Sequence, residues 1–427
     1  MKFAVHTLGC KVNQYETQAI ETILRSRGHV MTQPGETADL VIVNTCAVTA
    51  ESGRKSRQAV RRLMHENPGA VTAVCGCFSQ LSPGEVSALG ADIVYGSGDK
   101  LKLIEDMERL SREKKVVCVD DPFARREFER LPAGAVDGRT RAMLKVQDGC
   151  VNFCAYCVIP YTRGRVRSLP KEEAAAEARR LAAEGFRELV LTGIEIASYG
   201  RDLSDGSDLT DLVCAVAKAA PELRIRLGSL EPTVITERFC SELAALGNVC
   251  PHFHLSLQSG SDAVLKAMNR KYGTELFFEK TGLLRASFPN CALTADLIAG
   301  FPGETEEQHR ETLSFIRRCA FASVHVFPYS RRPGTKAADM PGQLSRAEKA
   351  RRAHEAQQIA GEMHRAFLES QKGRVLSVLF ETPRGGMSVG HSGNYCEVAV
   401  HGANLRSVVK NVEILTVDGE MLVGEVI

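Results

Sequence analysis

An α/β chain in three successive parts is what this sequence predicts: a parallel-sheet unit, a partial barrel and a small C-terminal β-barrel. Three observations carry the expectation. Short apolar runs alternate with amphipathic stretches from Lys2 to about Ala133; the alternation recurs six times between Arg141 and Ser330; and short strands with Gly-rich turns fill Gly373 to Ile427.

From the N-terminus, Phe3 to Leu8, Ala38 to Asn44 and Ala70 to Val74 read as strands, with helices Asn13 to Arg27 and Glu51 to Glu66 between them. Such a βαβαβ run makes a parallel sheet, because parallel neighbours need crossover helices. Gly28 stops the first helix and Pro68-Gly69 the second. The charged stretch Asp120 to Arg130, followed by Leu131 to Gly138 with its Pro and Gly, reads as a linker closing a first unit over residues 1–133.

Barrel strands are expected at Ala142–Gln147, Glu188–Thr192, Leu223–Ser229, His252–Gln258, Ala292–Ala299 and Ser323–Tyr329. Helices fill the gaps, among them Lys171–Glu184, stopped by Gly185, and one from Thr305 in which Gln308 completes a capping box. Six βα units imply a partial barrel over 134–342, with its active site at the C-terminal strand ends. An Ala-rich charged helix, Ser345 to Gln371, connects (343–372) to strands Val375–Phe380, Tyr395–Val400, Ser407–Leu415 and Met421–Ile427 of a small barrel over 373–427.

Lys plus Arg total 54 against 52 Asp plus Glu, so the net charge of +2 gives no global attraction for nucleic acid, and any such contact rests on local patches. The N-terminus lacks the apolar core of a secretory signal, and no apolar run is long enough to span a membrane. A cytoplasmic protein is expected, and there 14 cysteines point to metal binding or catalysis rather than to disulfides.

Cys150, Cys154 and Cys157 follow the first barrel strand with spacing C-x3-C-x2-C, and Tyr156 precedes the last. Three thiolates on one tight loop suit an iron-sulfur cluster whose fourth iron stays open to a small molecule. A structural zinc site is the alternative, but it wants a fourth Cys or His and none lies between Gly149 and Ser168. Cys10, Cys46 and Cys77 each stand just past one of three successive strands, at the sheet edge where open α/β folds bind ligands. Cys75 competes with Cys77 for the third position; Cys77, beyond the strand, is the expected member.

The triplet, its aromatic and its place after the first barrel strand resemble the radical S-adenosylmethionine superfamily. Thr7-Leu-Gly-Cys10-Lys-Val-Asn13-Gln-Tyr-Glu16, Val43-Asn-Thr-Cys46 and Gly76-Cys77 narrow the resemblance to its methylthiotransferases. Tyr161-Thr-Arg-Gly-Arg165, Leu255-Ser-Leu-Gln258-Ser-Gly and Gly300-Phe-Pro-Gly-Glu304-Thr extend it over essentially the whole chain. The resemblance implies a flavodoxin-like N-terminal domain, a TIM-type (β/α)6 radical S-adenosylmethionine barrel and a C-terminal TRAM domain. It also implies two 4Fe-4S clusters, one on Cys10, Cys46 and Cys77 and one on Cys150, Cys154 and Cys157, with S-adenosylmethionine as cofactor. In such enzymes the first cluster holds the sulfur that is methylated and transferred, and the second generates the radical that removes an unreactive hydrogen. An adenine C2 hydrogen is beyond the reach of a side-chain base, so no catalytic acid or base is assigned.

Further cofactor contacts carried over from the family are Gly193 and Glu195, where the family places a loop that binds the methionine amino group, Tyr156 beside Cys157, Glu231 and Gln258 at strand ends, and Asp296 inside its strand, where it faces the barrel interior or satisfies a buried donor. A single Gly193 stands where many members have two glycines. The segment Gly9 to Gln14 resembles the branch acting on N6-threonylcarbamoyladenosine next to the tRNA anticodon. Isopentenyladenosine in tRNA and a ribosomal-protein aspartate are the alternative substrates, and a non-catalytic iron-sulfur RNA-binding protein is the alternative from another class. The implied partners are a tRNA anticodon stem-loop, an electron donor and a sulfur source, with no stable protein partner. Arg163, Arg165, Arg167, Arg331 and Arg332, at the expected site mouth, are the candidate RNA contacts, since the TRAM-like segment holds only four Lys or Arg against six Asp or Glu. Tyr329 and Phe327 are the candidate stacking partners.

Overall fold

The computed structural model describes residues 1–109, 115–133, 140–402 and 405–427. Strands β1 (Lys2–Thr7), β2 (Val30–Met31), β3 (Leu40–Thr45), β4 (Val71–Gly76), β5 (Ile93–Tyr95) and β6 (Val116–Cys118) form a parallel sheet in the order β2-β1-β3-β4-β5-β6. That doubly wound order places its switch point at the carboxyl ends of β1 and β3. The central strands β3 and β4 are buried along their whole length, as strands covered by helices on both faces must be. The pairs β1–β3 and β3–β4 run in register, so Thr7, Thr45 and Gly76 end together at one edge. The two-residue β2 and three-residue β5 and β6 add to the expected strands; they are too short to show an alternation in sequence. The expected linker runs on through residues 134–138, which lie outside the described residues.

The next strands form two four-stranded sheets. β7 (Arg141–Asp148), β8 (Arg167–Ser168), β9 (Glu188–Gly193) and β10 (Arg224–Leu227) order as β10-β9-β7-β8; β11 (Ser229–Leu230), β12 (His252–Gln258), β13 (Ala292–Ala299) and β14 (Ser323–Pro328) order sequentially. Only β8 runs antiparallel, against β7. Gly228 splits the expected strand 223–229 into β10 and β11. One face of each long strand, such as Phe253, Leu255 and Leu257 or Leu293, Ala295 and Leu297, joins the apolar core beneath the helices. The alternate residues, including His252, His254, Asp296 and His325, face the barrel interior.

Helix Lys11–Ser26 of the first unit packs on β7 and β9, and its Tyr15 and Ala19 join the barrel's apolar cluster. Thr49 with Ser52, and Thr305 with Gln308, form complete capping boxes at helices Ala50–Glu66 and Glu306–Cys319. Helix Arg346–Glu369 leads to β15 (Val375–Arg384), β16 (Met387–Ser392), β17 (Glu397–His401), β18 (Val409–Asp418) and β19 (Met421–Val426), closed as β15-β16-β17-β19-β18. This barrel docks through buried charge. Glu188 receives Arg224 at 2.6 Å and Arg226 at 2.7 Å, Arg226 donates to the Gly393 carbonyl, and Arg141 grips Glu381 with 2.7 and 2.6 Å bonds.

Candidate active site

The first unit offers three loops at one sheet edge. Gly9, with φ +112, precedes Cys10; a Cβ there would lie 2.9 Å from Cys46 Cβ and 3.0 Å from its Sγ. Gly76, with φ +100, precedes Cys77; a Cβ there would meet the Thr45 carbonyl at 2.4 Å. The loops after β1, β3 and β4 therefore touch only because glycine stands at these two positions. Asn13 braces the same edge, donating from Nδ2 to the Leu8 and Thr45 carbonyls at 2.8 and 3.0 Å. Cys77 acts electrostatically on both Cys10 and Cys46, raising each thiol. Cys10 is accessible from the cleft, yet crowding by protein pushes its thiol up to about 11. Cys75, by contrast, packs with Phe3, Ile42 and Tyr95 in the apolar layer under the sheet.

At the barrel's C-terminal edge, Gly149, with φ +77, lets Cys150 turn against the Arg165 carbonyl, which a Cβ would meet at 1.8 Å. Cys157 N–H closes on the Cys154 carbonyl at 2.9 Å, and Ala155 N–H on Met268 at 2.9 Å. Burial pushes the Cys150 and Cys157 thiols up to about 12. Arg270 Nη1 donates to Cys154 Sγ at 3.2 Å and its Nη2 pairs with Glu231 at 3.3 Å, both side chains being buried. Burial and then the nearby Glu231 raise Glu195 to about 7. Gln147 ties these parts together: its Oε1 accepts Glu195 N–H at 2.8 Å, and its Nε2 donates to the Asp148 and Gly149 carbonyls. Gly193 permits that approach, since a Cβ would stand 2.9 Å from Gln147 O. Tyr156 packs partly buried beside Phe301 and Tyr329, Gln258 ends β12 at φ +69, and Asp296 pairs with His254 at 3.2 Å.

All six of these cysteines are free thiols, and backbone N–H groups of Val48, Asn152 and Ile159 point at Cys46, Cys150 and Cys157. Cys10, Cys46, Cys150 and Cys157, raised first by burial, ionise more readily when a cationic centre binds beside them. Among the described residues no three His, Cys, Asp or Glu side chains close around a single metal ion.

Two expected RNA contacts need correction. Arg163 is fully buried, hydrogen-bonding the Glu16 carboxylate and Asn13 Oδ1 (2.8 Å), and Arg167 is buried beside Asp148 at 3.5 Å. Both belong to a charge network joining helix Lys11–Ser26 and Lys100 to Lys145 and Asp148 of β7, so neither reaches a phosphate. Arg165 and Arg331 are exposed, and Arg332 is half-buried beside Gly53, acting electrostatically with Cys46. Tyr329 is buried against Phe301, which removes it as a stacking surface, whereas Phe327 is exposed. Arg270, which is not among the expected site residues, is a buried partner of the cysteine loop. Its partner Glu231 comes from another strand end, so no signal in the local sequence marks it.

Comparison with known proteins follows from this geometry. Residues 144–316 match the Radical SAM superfamily and residues 2–96 the Uncharacterized protein family UPF0004. The chain is 39% identical over 93% of its length to the threonylcarbamoyladenosine tRNA methylthiotransferase MtaB of Bacillus subtilis strain 168, covering 90% of that protein. It is 34% identical, over 88% of its length and 83% of the relative, to the tRNA-2-methylthio-N(6)-dimethylallyladenosine synthase of Symbiobacterium thermophilum. Among solved structures, the radical S-adenosylmethionine methyltransferase TsrM of Kitasatospora setae shares the fold, with a TM-score of 0.59 at 17% identity over 79% of this chain and 75% of that one.

Proposed function

From the premise that the chain belongs to the radical S-adenosylmethionine methylthiotransferases, we propose that it converts N6-threonylcarbamoyladenosine, beside the anticodon of a tRNA, to its 2-methylthio derivative. The observation that carries the reading is the pairing of two thiol trios, each at the ligand-binding edge of its own sheet, with the first unit's loops meeting the end of β14. There Ser330 accepts the Ala50 N–H at 3.0 Å and Arg332 stands beside Gly53.

Cys150, Cys154 and Cys157 would hold one 4Fe-4S cluster, and Cys10, Cys46 and Cys77 a second. When bound, the first with S-adenosylmethionine supplies hydrogen-atom abstraction and the second supplies sulfur. The chain's own residues do the positioning. Arg270 balances the charge at Cys154 and holds Glu231, so that Glu231 and the more weakly acidic Glu195 form an acidic wall for the ammonium of S-adenosylmethionine. Tyr156, Gln258 and Asp296 complete the contacts proposed for that cofactor, and Gly193 keeps the strand end close to the cysteine loop. Packing of Phe301, Tyr329 and Met268 under this loop excludes water from its rear. Exposed Arg165 and Arg331 and half-buried Arg332 are the proposed phosphate contacts, and turnover requires an electron donor and a sulfur source.

A deletion strain decides the substrate. Nucleosides from its tRNA, resolved by mass spectrometry, are expected to lack 2-methylthio-N6-threonylcarbamoyladenosine and to accumulate the unmethylthiolated form. Unchanged levels, or loss of the 2-methylthio-isopentenyl nucleoside instead, would refute the proposal.

A further inference from the structure

Lys11 directly follows Cys10 and extends into a chamber of about 360 Å³ bounded by helix Lys11–Ser26, the barrel interior and the C-terminal β-barrel. The lining is cationic: Lys11, Arg141, Arg226 and Arg406 face it, against the single carboxylate of Glu381. Two of the arginines are held in protein ion pairs, Arg226 by Glu188 and Arg141 by Glu381. Lys11 differs. Its ammonium has no hydrogen bond or ion pair among the described residues, and the groups that act on it electrostatically are Tyr395, Arg226, Arg141 and Glu188, the last already held by Arg226.

The same ammonium acts on His252 and His325, which stand with His254 and Asp296 on the inner face of β12, β13 and β14. That face leads to Gln258 at the strand ends, and His252 stacks on Tyr395 at the chamber wall with ring centroids 4.9 Å apart. A cation set among cations on a chamber wall is stabilised by an anion that arrives with a ligand, whereas an apolar ligand would displace its water and leave it unpaired.

We propose that Lys11 receives the carboxylate of the N6-threonylcarbamoyl group, so that the chamber selects an acidic N6 substituent over an apolar one. The inference rests on the substrate reading above. Adenine C2 and C6, the carbon that bears N6, both flank N1, so a group that grips the N6 substituent belongs close to where C2 reacts, and Lys11 adjoins Cys10. Gln14, on the same helix face and lining the same chamber, adds an amide for the hydroxyl or carbonyl of the substituent.

The test compares two anticodon stem-loop RNAs, one carrying N6-threonylcarbamoyladenosine and one carrying its carboxamide, on the reconstituted full-length enzyme. Methylthiolation kcat/KM and Kd by fluorescence anisotropy are measured for wild type, Lys11→Met and Lys11→Arg. Wild type is expected to favour the acid by on the order of tenfold to a hundredfold, the worth of a charge-assisted hydrogen bond in a desolvated site. Lys11→Met is expected to bring the acid-to-amide ratio to about one, and Lys11→Arg to restore part of it. A wild-type ratio near one, or an undiminished ratio in Lys11→Met, overturns the inference while leaving the substrate reading intact. Equal loss on both RNAs assigns Lys11 to an RNA phosphate and overturns it too. A wild-type enzyme that modifies neither RNA but accepts an isopentenyl one sinks the substrate reading and this inference together. Iron content accompanies each variant, and the Kd ratio, read without turnover, decides if Lys11→Met loses its clusters.

Discussion

Glu16→Gln is the sharpest perturbation of the junction between the two thiol trios. Glu16 is fully buried, hydrogen-bonds Arg163, and lies 3.4 Å from Lys145 and 3.8 Å from Lys100. Burial alone would raise its carboxyl, but Arg163, Lys100 and Lys145 outweigh burial and hold it well below the usual carboxylate range. With Gln at 16, Asp148 is left to face Lys145, Arg163 and Arg167, and Lys100 loses its paired carboxylate. Breaking one side of such a buried pair costs about 3–5 kcal/mol, a large share of the ~5–15 kcal/mol that keeps a domain folded. Urea unfolding of the cluster-free protein, followed by circular dichroism, is expected to show that loss at pH 7.5. The sign of the pH dependence follows from the depressed acid. Its contribution is complete above the unfolded value of about 4.3 and is lost as pH falls towards the lower folded value, so the gap between wild type and variant narrows below pH ~4. A midpoint within about 0.5 kcal/mol of wild type at pH 7.5, or a gap that widens in acid, would refute the reasoning.

The remaining expectations concern the clusters and the RNA. A triple Cys10, Cys46 and Cys77 to Ala variant is expected to lose about half its iron and sulfide while still cleaving S-adenosylmethionine reductively, as one cluster of two would allow; loss of both functions counts against separate sites. Gly76→Ala forces a Cβ to within 2.4 Å of the Thr45 carbonyl at φ +100, so a destabilisation on the order of 3 kcal/mol and loss of the N-terminal cluster are expected, measured by urea midpoint and iron content. Arg165→Gln and Arg331→Gln should each reduce the slope of log Kd for tRNA against log salt by about one, whereas Arg163→Gln should lower stability instead. An unchanged slope in both exposed variants would remove them from the RNA surface.

The six long barrel strands and the three central strands of the first sheet could be read from the sequence because each carries enough residues for its apolar pattern to stand out from its flanks. Strand β16 could not: Met387-Ser-Val-Gly-His-Ser buries Ser388, Gly390 and Ser392 in a tight barrel where small residues fit, and small polar residues read as a turn. The positions of the cysteine loops could be read because Cys10, Cys46 and Cys77 follow three strands of one parallel sheet and Cys150 follows β7, so topology sets the edge on which each loop lies. The arginines were misread for a different reason. Arg163 sits in a basic pentapeptide, but its partner Glu16 lies 147 residues earlier, and Arg270 likewise finds Glu231 only through the barrel's closure. Local spacing reports charge; it cannot report a counter-charge brought in by another element.

The buried arginine also fixes how the two cysteine loops sit relative to each other. Helix Lys11–Ser26 begins at Cys10, carries Glu16 one and a half turns later, and is clamped there by Arg163 from the segment that follows the second cysteine loop. The same arginine reaches Asn13, which in turn ties the loops after β1 and β3. A displacement of either cysteine loop is thereby transmitted through buried, charge-assisted hydrogen bonds rather than through a flexible hinge. Sulfur delivery to a carbon that has just lost its hydrogen leaves little room for misplacement, since an error of about 1 Å costs on the order of a hundredfold in rate. An ionic clamp suits that demand better than an apolar contact of equal size. Its directional bonds specify one arrangement of the two units, whereas apolar packing tolerates sliding.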